Sequence, residues 1–445
     1  MNKTVVQREI AGRTLSIETG VIAKQAAGSV LVTYGESIVF TAVTFGDPPP
    51  HINFFPMTVD YREKTYAAGK FPGGFFKREG RPTTKEILTA RLIDRPIRPL
   101  FPKGFKKDVS ISCMTMSADR QNDPDVLAMI GAFAACAMSP LPIEENTGAV
   151  RLGYIDDEIV INPTFEQRED SILDLVVAGS KDAITMVEAG AEEVTEDVIL
   201  DALEQGHAVI REVVEMIEEL VEKVGLPKIE FSPPEEDEDL HKKVKDLAWD
   251  GLMSAIEVDG KHAKKSAMDD VKEKVLADLC PEDPPEDWDG PERGDVKGAF
   301  DKVKKSVERT RIIEQKKRAD GRGLADIRPI STEFSLLPHA HGSSLFTRGE
   351  TQALVVLTLG TRFDEQRVDG LNDETTETFM LHYNFPAFCV GESWPNRGPK
   401  RREIGHGNLA ERSLRSVLPD HDDFPYTVRI VSEIMESNGS SSMAS

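Results

Sequence analysis

The 445 residues hold 77 Asp and Glu against 54 Lys and Arg, a net charge of −23, with 39% hydrophobic and 29% charged positions. That balance fits a globular chain of about two to four domains, each able to bury its own core, and it excludes a bilayer-spanning segment because no apolar run is long enough. Met1 to Glu9 lacks an apolar signal region, and Cys113, Cys136, Cys280 and Cys389 are widely spaced with no CxxC pair, so a cytoplasmic protein with reduced, core-packed thiols is expected rather than a disulfide or zinc scaffold.

The chain opens with alternating apolar strands at 13–18, 28–34 and 37–45. A glycine-rich loop follows, Lys70-Phe71-Pro72-Gly73-Gly74-Phe75-Phe76-Lys77-Arg78-Glu79-Gly80-Arg81-Pro82, and then a helix capped by Thr83 or Thr84, carrying Ile87, Leu88 and Leu92 on one face and ending before Pro96. Arg91 and Arg95, four apart, share one side of that helix and Arg98 follows it, so three guanidinium groups are expected to converge. From Lys70 to Lys107 eleven Lys and Arg face only three Asp and Glu. An acidic exterior around a basic channel is the reading.

A strand at 109–117, a buried helix at 126–138, a hairpin over 151–161 turning at Asp156-Asp157, a strand at 172–178 and a long amphipathic helix at 198–224 complete a first unit. Its halves are expected at 1–142 and 143–232. Composition then shifts. Residues 240–318, flanked by the acidic run 235–239 and containing the acidic stretch 281–295, read as an all-helical domain with helices at 240–256 and 296–315. A second unit spans 319–445, with strands at 331–337, 342–348, 353–360 and 379–385, the basic knot Arg397 to Arg402, a helix at 404–418 and a strand at 426–434.

The second unit repeats the first. Residues 28–46 align without gaps on 342–360 with eight of nineteen positions identical, among them Gly35/Gly349 and Glu36/Glu350. Lys77-Arg78-Glu79 echoes Arg401-Arg402-Glu403, each ahead of a helix, and the period is too long for a solenoid. The last strand runs into Ser437-Asn438-Gly439-Ser440-Ser441-Ser442-Met443-Ala444-Ser445. A glycine followed by three hydroxyl residues at a helix start is a nest of N–H and O–H donors suited to phosphate. The first unit has Asn122-Asp123-Pro124-Asp125-Val126-Leu127-Ala128 at the matching place, where two carboxylates would repel phosphate.

The segments 75–82, 90–101, 346–352, 382–386, 400–407 and 432–445 resemble the bacterial polynucleotide phosphorylase family along essentially the whole chain. The resemblance implies an α/β (α+β) fold of two RNase PH-type cores with an intervening all-helical domain, followed in the family by KH and OB-fold modules, in a ring-shaped homotrimer with RNA entering a central channel. It implies that orthophosphate attacks the 3′-terminal phosphodiester of single-stranded RNA and releases nucleoside diphosphates, reversibly. Ser440, Ser441 and Ser442 would hold the phosphate, Arg401 and Arg402 the terminal RNA phosphates, and His406 would sit beside the reaction centre. Phe75, Phe76, Lys77, Arg78 and Arg81 resemble the channel-constricting loop, where rings stack bases and cations follow the backbone; Lys77 stands where the family usually has Arg, which keeps charge and loses bidentate geometry. Arg91, Arg95 and Arg98 are placed with the RNA-binding residues.

In the family the metal-binding aspartates and a catalytic lysine follow the serine cluster, so Mg2+ ligands are expected downstream of residue 445 and none within the chain. The expectation is a truncated phosphorylase whose first core binds RNA without catalysing, and whose fragment is inactive alone, acting as an RNA-binding or assembly module. Asp174 resembles a position where the second core would carry a metal carboxylate. A degradosome component docking on the helical insert is a further expectation.

Overall fold

The computed structural model describes residues 3–49, 52, 54–233, 237–280 and 288–444. Glu235 and Glu236, residues 281–287 of the second acidic stretch, and Ser445 lie outside the described residues.

The first unit is built on β1 (Thr4–Ile10), β2 (Arg13–Thr19), β3 (Gly28–Tyr34), β4 (Ser37–Gly46) and β5 (Met57–Glu63), then α1 (Thr84–Ile97), β6 (Asp108–Ser117) and α2 (Pro124–Met138). The strands form one sheet in the order β1-β2-β3-β4-β6-β5, antiparallel except for the parallel pair β5 and β6. A second sheet combines β7 (Gly148–Ile155), β8 (Glu158–Ile161), β9 (Leu173–Gly179) and β10 (Ile184–Ala191) in the order β10-β9-β7-β8, with the short α3 (Phe165–Glu169) and the long α4 (Glu196–Val224). Asp156 and Asp157 both take positive φ in the tight turn between β7 and β8, the geometry whose twist matches a two-residue hairpin. Every residue of α2 is buried, which is why its apolar positions show no stripe: a helix enclosed on all sides need not be amphipathic.

α1 does not stop before Pro96. It runs on through Pro96 to Ile97, because Ile93, Pro96 and Ile97 are buried against the core and that contact offsets the single backbone bond the proline removes in the last turn.

Among the described residues three helices form the middle unit, α5 (Glu238–Ala255), α6 (Lys261–Leu279) and α7 (Arg293–Gln315). They enclose their own apolar cluster, including Val244, Leu252, Val275, Phe300 and Val303.

The second unit carries β11 (Ile330–Phe334), β12 (Gly342–Arg348), β13 (Thr351–Gly360), a small ribbon of β14 (Gln366–Val368) and β15 (Thr375–Glu377), β16 (Phe379–Asn384), α8 (Arg401–Arg415) and β17 (Thr427–Glu436). Its sheet, β11-β12-β13-β17-β16, repeats β2-β3-β4-β6-β5 of the first, down to the parallel pair at one edge and a bulge at the same place, Ile38/Val39 in one copy and Gln352/Ala353 in the other. β11 is exposed along its whole length, and among the described residues no counterpart of α2 covers β12. The four cysteines are buried and unpaired by disulfides.

Candidate active site at the second core

The duplication sets the frame. In each unit a glutamate in the first turn of a helix clamps the end of the neighbouring strand. Glu86 accepts from the Thr83 and Glu63 N–H groups at 2.7 and 2.8 Å, and Glu403 accepts from Lys400 and Phe385 N–H, both at 2.8 Å. The counterpart of Glu403 is therefore Glu86 and not Glu79, which sits in an exposed loop; the resemblance of 77–79 to 401–403 is one of composition, while the buried carboxylate decides the true register. α8 accordingly begins at Arg401, three residues before the expected 404.

After β17 the chain enters a turn in which Gly439 (φ 82°) and Ser440 (φ 49°) are both left-handed, followed by a single 3-10 turn over Ser441–Met443. Gly439 provides the first of these at no steric cost. The Ser440 conformation is held from outside: Arg348 donates to the Gly439 and Ser440 carbonyls at 3.1 Å each. The Ser441 hydroxyl lies 2.8 Å from Tyr383 Oη.

Tyr383 joins this turn to α8. Its ring meets His406 edge-on at 5.3 Å, so the serine turn and the start of α8 converge on one place. Burial pushes His406 below the ordinary histidine range, and the Arg91 and Arg402 cations push the same way, so the imidazole is neutral near pH 7. Its Nδ1 is buried with no hydrogen-bond partner in the protein, an orphan polar atom of the kind a substrate group satisfies.

The two arginines part company. Arg402 lies close enough for its charge to bear on both His406 and Tyr383. Arg401 turns to the first unit and binds Asp60 and the Val59 carbonyl. Arg91 of α1 makes the reverse crossing: it lies against Gly405, where an added Cβ would fall 2.6 Å from its Cζ. Of the α1 arginines, Arg91 and Arg95 stay near one another beside Glu188, while Arg98 turns elsewhere. Arg95 pairs with Glu188, and Arg98 donates to Asp94 and to the Phe55 and Met57 carbonyls at 3.3 and 2.9 Å. Asp94 lies four residues before Arg98 on the same helix, while Glu188 and the Phe55 and Met57 carbonyls are acceptors that sequence spacing does not reveal.

The matching turn of the first unit is closed by its own side chains. Asp123 and Asp125 replace the glycine and a serine, and Arg151 reaches them at 3.0 and 2.8 Å while also pairing with Asp174 at 2.7 Å. Lys85 and Arg168 add further contacts to Asp123 at 3.3 and 2.8 Å. Burial alone would raise Asp123, but Lys85, then Arg151 and Arg168, outweigh it and hold its carboxyl well below the usual range. Asp125, facing Asp123 in a fully buried position, is raised chiefly by burial. Cations that would meet a phosphate are neutralised from within, and Asp174 is an ion-pair partner.

The loop of Phe75, Phe76, Lys77, Arg78 and Arg81 projects from the first unit. Phe75 and Phe76 are 92% and 88% exposed and pack edge to face at 5.5 Å, an apolar display with no burial to explain it. Lys70 at its root donates to the Gly370 and Asn372 carbonyls, bringing the loop beside the β14–β15 ribbon. Among the described residues no group of three or more His, Cys, Asp and Glu is arranged to hold a metal ion. Glu350, Glu403 and Glu433 near the serine turn are engaged by Asn438, by backbone N–H groups and by Asn384. No helix is long and apolar enough to cross a membrane. Sequence reasoning missed Tyr383, Arg348 and the crossing of Arg91, which only tertiary packing brings to the turn.

The second copy of the doubled α/β core sets a serine turn beside Arg348, Tyr383 and His406. The model for the 3′ exoribonuclease family, domain 1, matches residues 11–142 and again 326–445, its domain 2 matches 146–209, and the polyribonucleotide nucleotidyltransferase RNA binding domain matches 239–323; the chain belongs to the 3′ exoribonuclease family. Polyribonucleotide nucleotidyltransferases of Bacillus subtilis strain 168 and Staphylococcus epidermidis are each 51% identical to it, over 443 and 448 residues, and that of Rhodopirellula baltica is 50% identical over 445. Each alignment covers 100% of this chain, which spans 62%, 63% and 59% of those relatives in the same order.

Proposed function

We propose that this chain carries the reaction centre of a phosphorolytic 3′-to-5′ exoribonuclease, a polyribonucleotide nucleotidyltransferase. The observation that carries the reading is the meeting of the serine turn with His406 through Tyr383, within reach of the Arg402 charge. Orthophosphate held by Ser440, Ser441 and Ser442 attacks the phosphorus of the 3′-terminal nucleotide; the bond to the preceding 3′ oxygen breaks, that oxygen takes a proton, and a nucleoside diphosphate leaves. Both partners are anionic, so the residues act chiefly by positioning and by neutralising charge. Arg402 and Arg91 face the two phosphates, and neutral His406 offers its unsatisfied Nδ1 without adding a charge that would have to be screened.

Single-stranded RNA reaches the centre past Phe75 and Phe76, which stack bases while Lys77, Arg78 and Arg81 follow the backbone. A homotrimer would gather three such loops around a bore, and sedimentation of the natural full-length protein tests that. The carboxylates near the serine turn are already engaged, so they do not fit a Mg2+ site. Poly(A) incubated with the natural full-length protein and orthophosphate should release ADP. Release of AMP independent of phosphate would identify a hydrolase and refute the reading.

A further inference from the structure

The two matching turns are anchored differently. In the first unit four residues separate β6 from Asn122, and one of them, Asp119, accepts from the Asn122 N–H at 2.8 Å, the Asn122 amide at 2.6 Å and the Glu36 N–H at 3.1 Å. In the second unit one residue, Ser437, separates β17 from Asn438, so no counterpart of Asp119 exists. Its work is divided. Thr351 Oγ1 accepts from the Asn438 N–H at 3.0 Å, and Glu350 accepts from the Asn438 amide. Within the core the Ser437 N–H donates to the Cys389 carbonyl at 2.9 Å, and a further anchor comes from outside it: Lys261, first residue of α6 in the helical unit, donates its ammonium to the Ser437 carbonyl at 2.6 Å, and its N–H points to the other oxygen of Glu350 at 3.3 Å.

We propose that the helical unit positions the phosphate-binding turn through Lys261, which fixes the Ser437 peptide directly and orients Asn438 through Glu350. Nothing in the first unit is held in this way, and the first unit's turn is the one blocked by its own carboxylates. The residue acts through the turn and touches no substrate: a charge-assisted bond to one peptide sets the direction from which Gly439 and Ser440 enter their left-handed conformations. A unit that lies apart from both sheets thereby controls how well orthophosphate is received.

The inference rests on the phosphorolytic reading, and the test separates the two. In the natural full-length protein, Lys261→Met is compared with Lys261→Arg by phosphate KM, kcat, RNA affinity from fluorescence anisotropy, and amide hydrogen exchange across 437–444. Lys261→Met should raise the phosphate KM about tenfold, as expected for one lost charge-assisted hydrogen bond, with RNA affinity unchanged within about twofold, and should speed exchange in 437–444; Lys261→Arg should recover most of both. An unchanged phosphate KM with unchanged exchange overturns the proposal. So does a loss of RNA affinity and thermal stability that arginine fails to restore. Should Lys261→Met not fold, Glu350→Gln must show the same phosphate-selective effect, and its absence overturns the proposal equally. If the unsubstituted protein releases no diphosphate, the phosphorolytic reading fails, and the exchange rates still decide the positioning claim.

Discussion

Replacing Arg151 by Met removes the cation shared by Asp123, Asp125 and Asp174 in the first unit. Asp123 and Asp125 keep only 8% and 4% of their side-chain surface exposed, so solvent cannot compensate them. Asp123 keeps Lys85 and Arg168 and Asp174 keeps Arg168, but Asp125 loses its cation, and leaving one buried charge uncompensated costs about 3–5 kcal/mol. For a core of this size each kcal/mol moves Tm by about 2–4 °C, so the first unit should melt about 6–20 °C lower at pH 7, read by calorimetry or circular dichroism. The pH dependence gives the sharper check. In the parent, Asp123 is held well below its ordinary range, so its contribution is present above the unfolded carboxylate value and survives at pH 5. In the variant Asp125, already raised by burial and now without Arg151, takes up a proton as pH falls, which relieves its repulsion with Asp123, and the deficit should shrink between pH 7 and pH 5. A Tm change under about 2 °C at pH 7, or a deficit that is no smaller at pH 5, would refute the argument that cations and carboxylates neutralise one another there.

Three more outcomes are expected. Gly405→Ala would press on Arg91 at its flexible end, so stability should fall by less than about 1 kcal/mol while phosphate-dependent turnover drops several-fold; equal turnover would show that Arg91 does not serve the second unit. Phe75→Ala with Phe76→Ala, both exposed, should weaken RNA binding by about 1–3 kcal/mol for each stacked base with Tm unchanged, as measured by anisotropy and melting. His406 is lowered from the ordinary 6.5 by burial, then by Arg91 and Arg402. The folded state therefore resists its protonation, so stability is full above pH 6.5 and falls as pH drops through it, and His406→Gln should flatten that part of the stability–pH curve.

Much of this was legible because period-two alternation and paired apolar faces report local structure directly. The alignment of 28–46 on 342–360 identifies the duplication, and the structure carries it further than identity does, to a shared bulge and a shared parallel pair. The substitution of Asp123 and Asp125 for the serine turn is likewise visible in sequence. What escaped has a common physical cause. The end of α1 depends on the burial of Pro96, the register of Glu403 on Glu86 depends on a buried carboxylate, and the divergence of Arg95 and Arg98 depends on acceptors supplied by other strands. Lys261 and Tyr383 lie 176 and 58 residues from the groups they hold. No local pattern encodes such a pairing.

Under the proposed reaction, orthophosphate enters the second-unit turn and becomes part of the product. Oxygen-18-labelled orthophosphate, supplied to the natural full-length protein with a single-stranded oligoribonucleotide, should appear in the terminal phosphoryl group of the released nucleoside diphosphates, as read by mass spectrometry. Labelled orthophosphate recovered unchanged beside unlabelled monophosphates would contradict it.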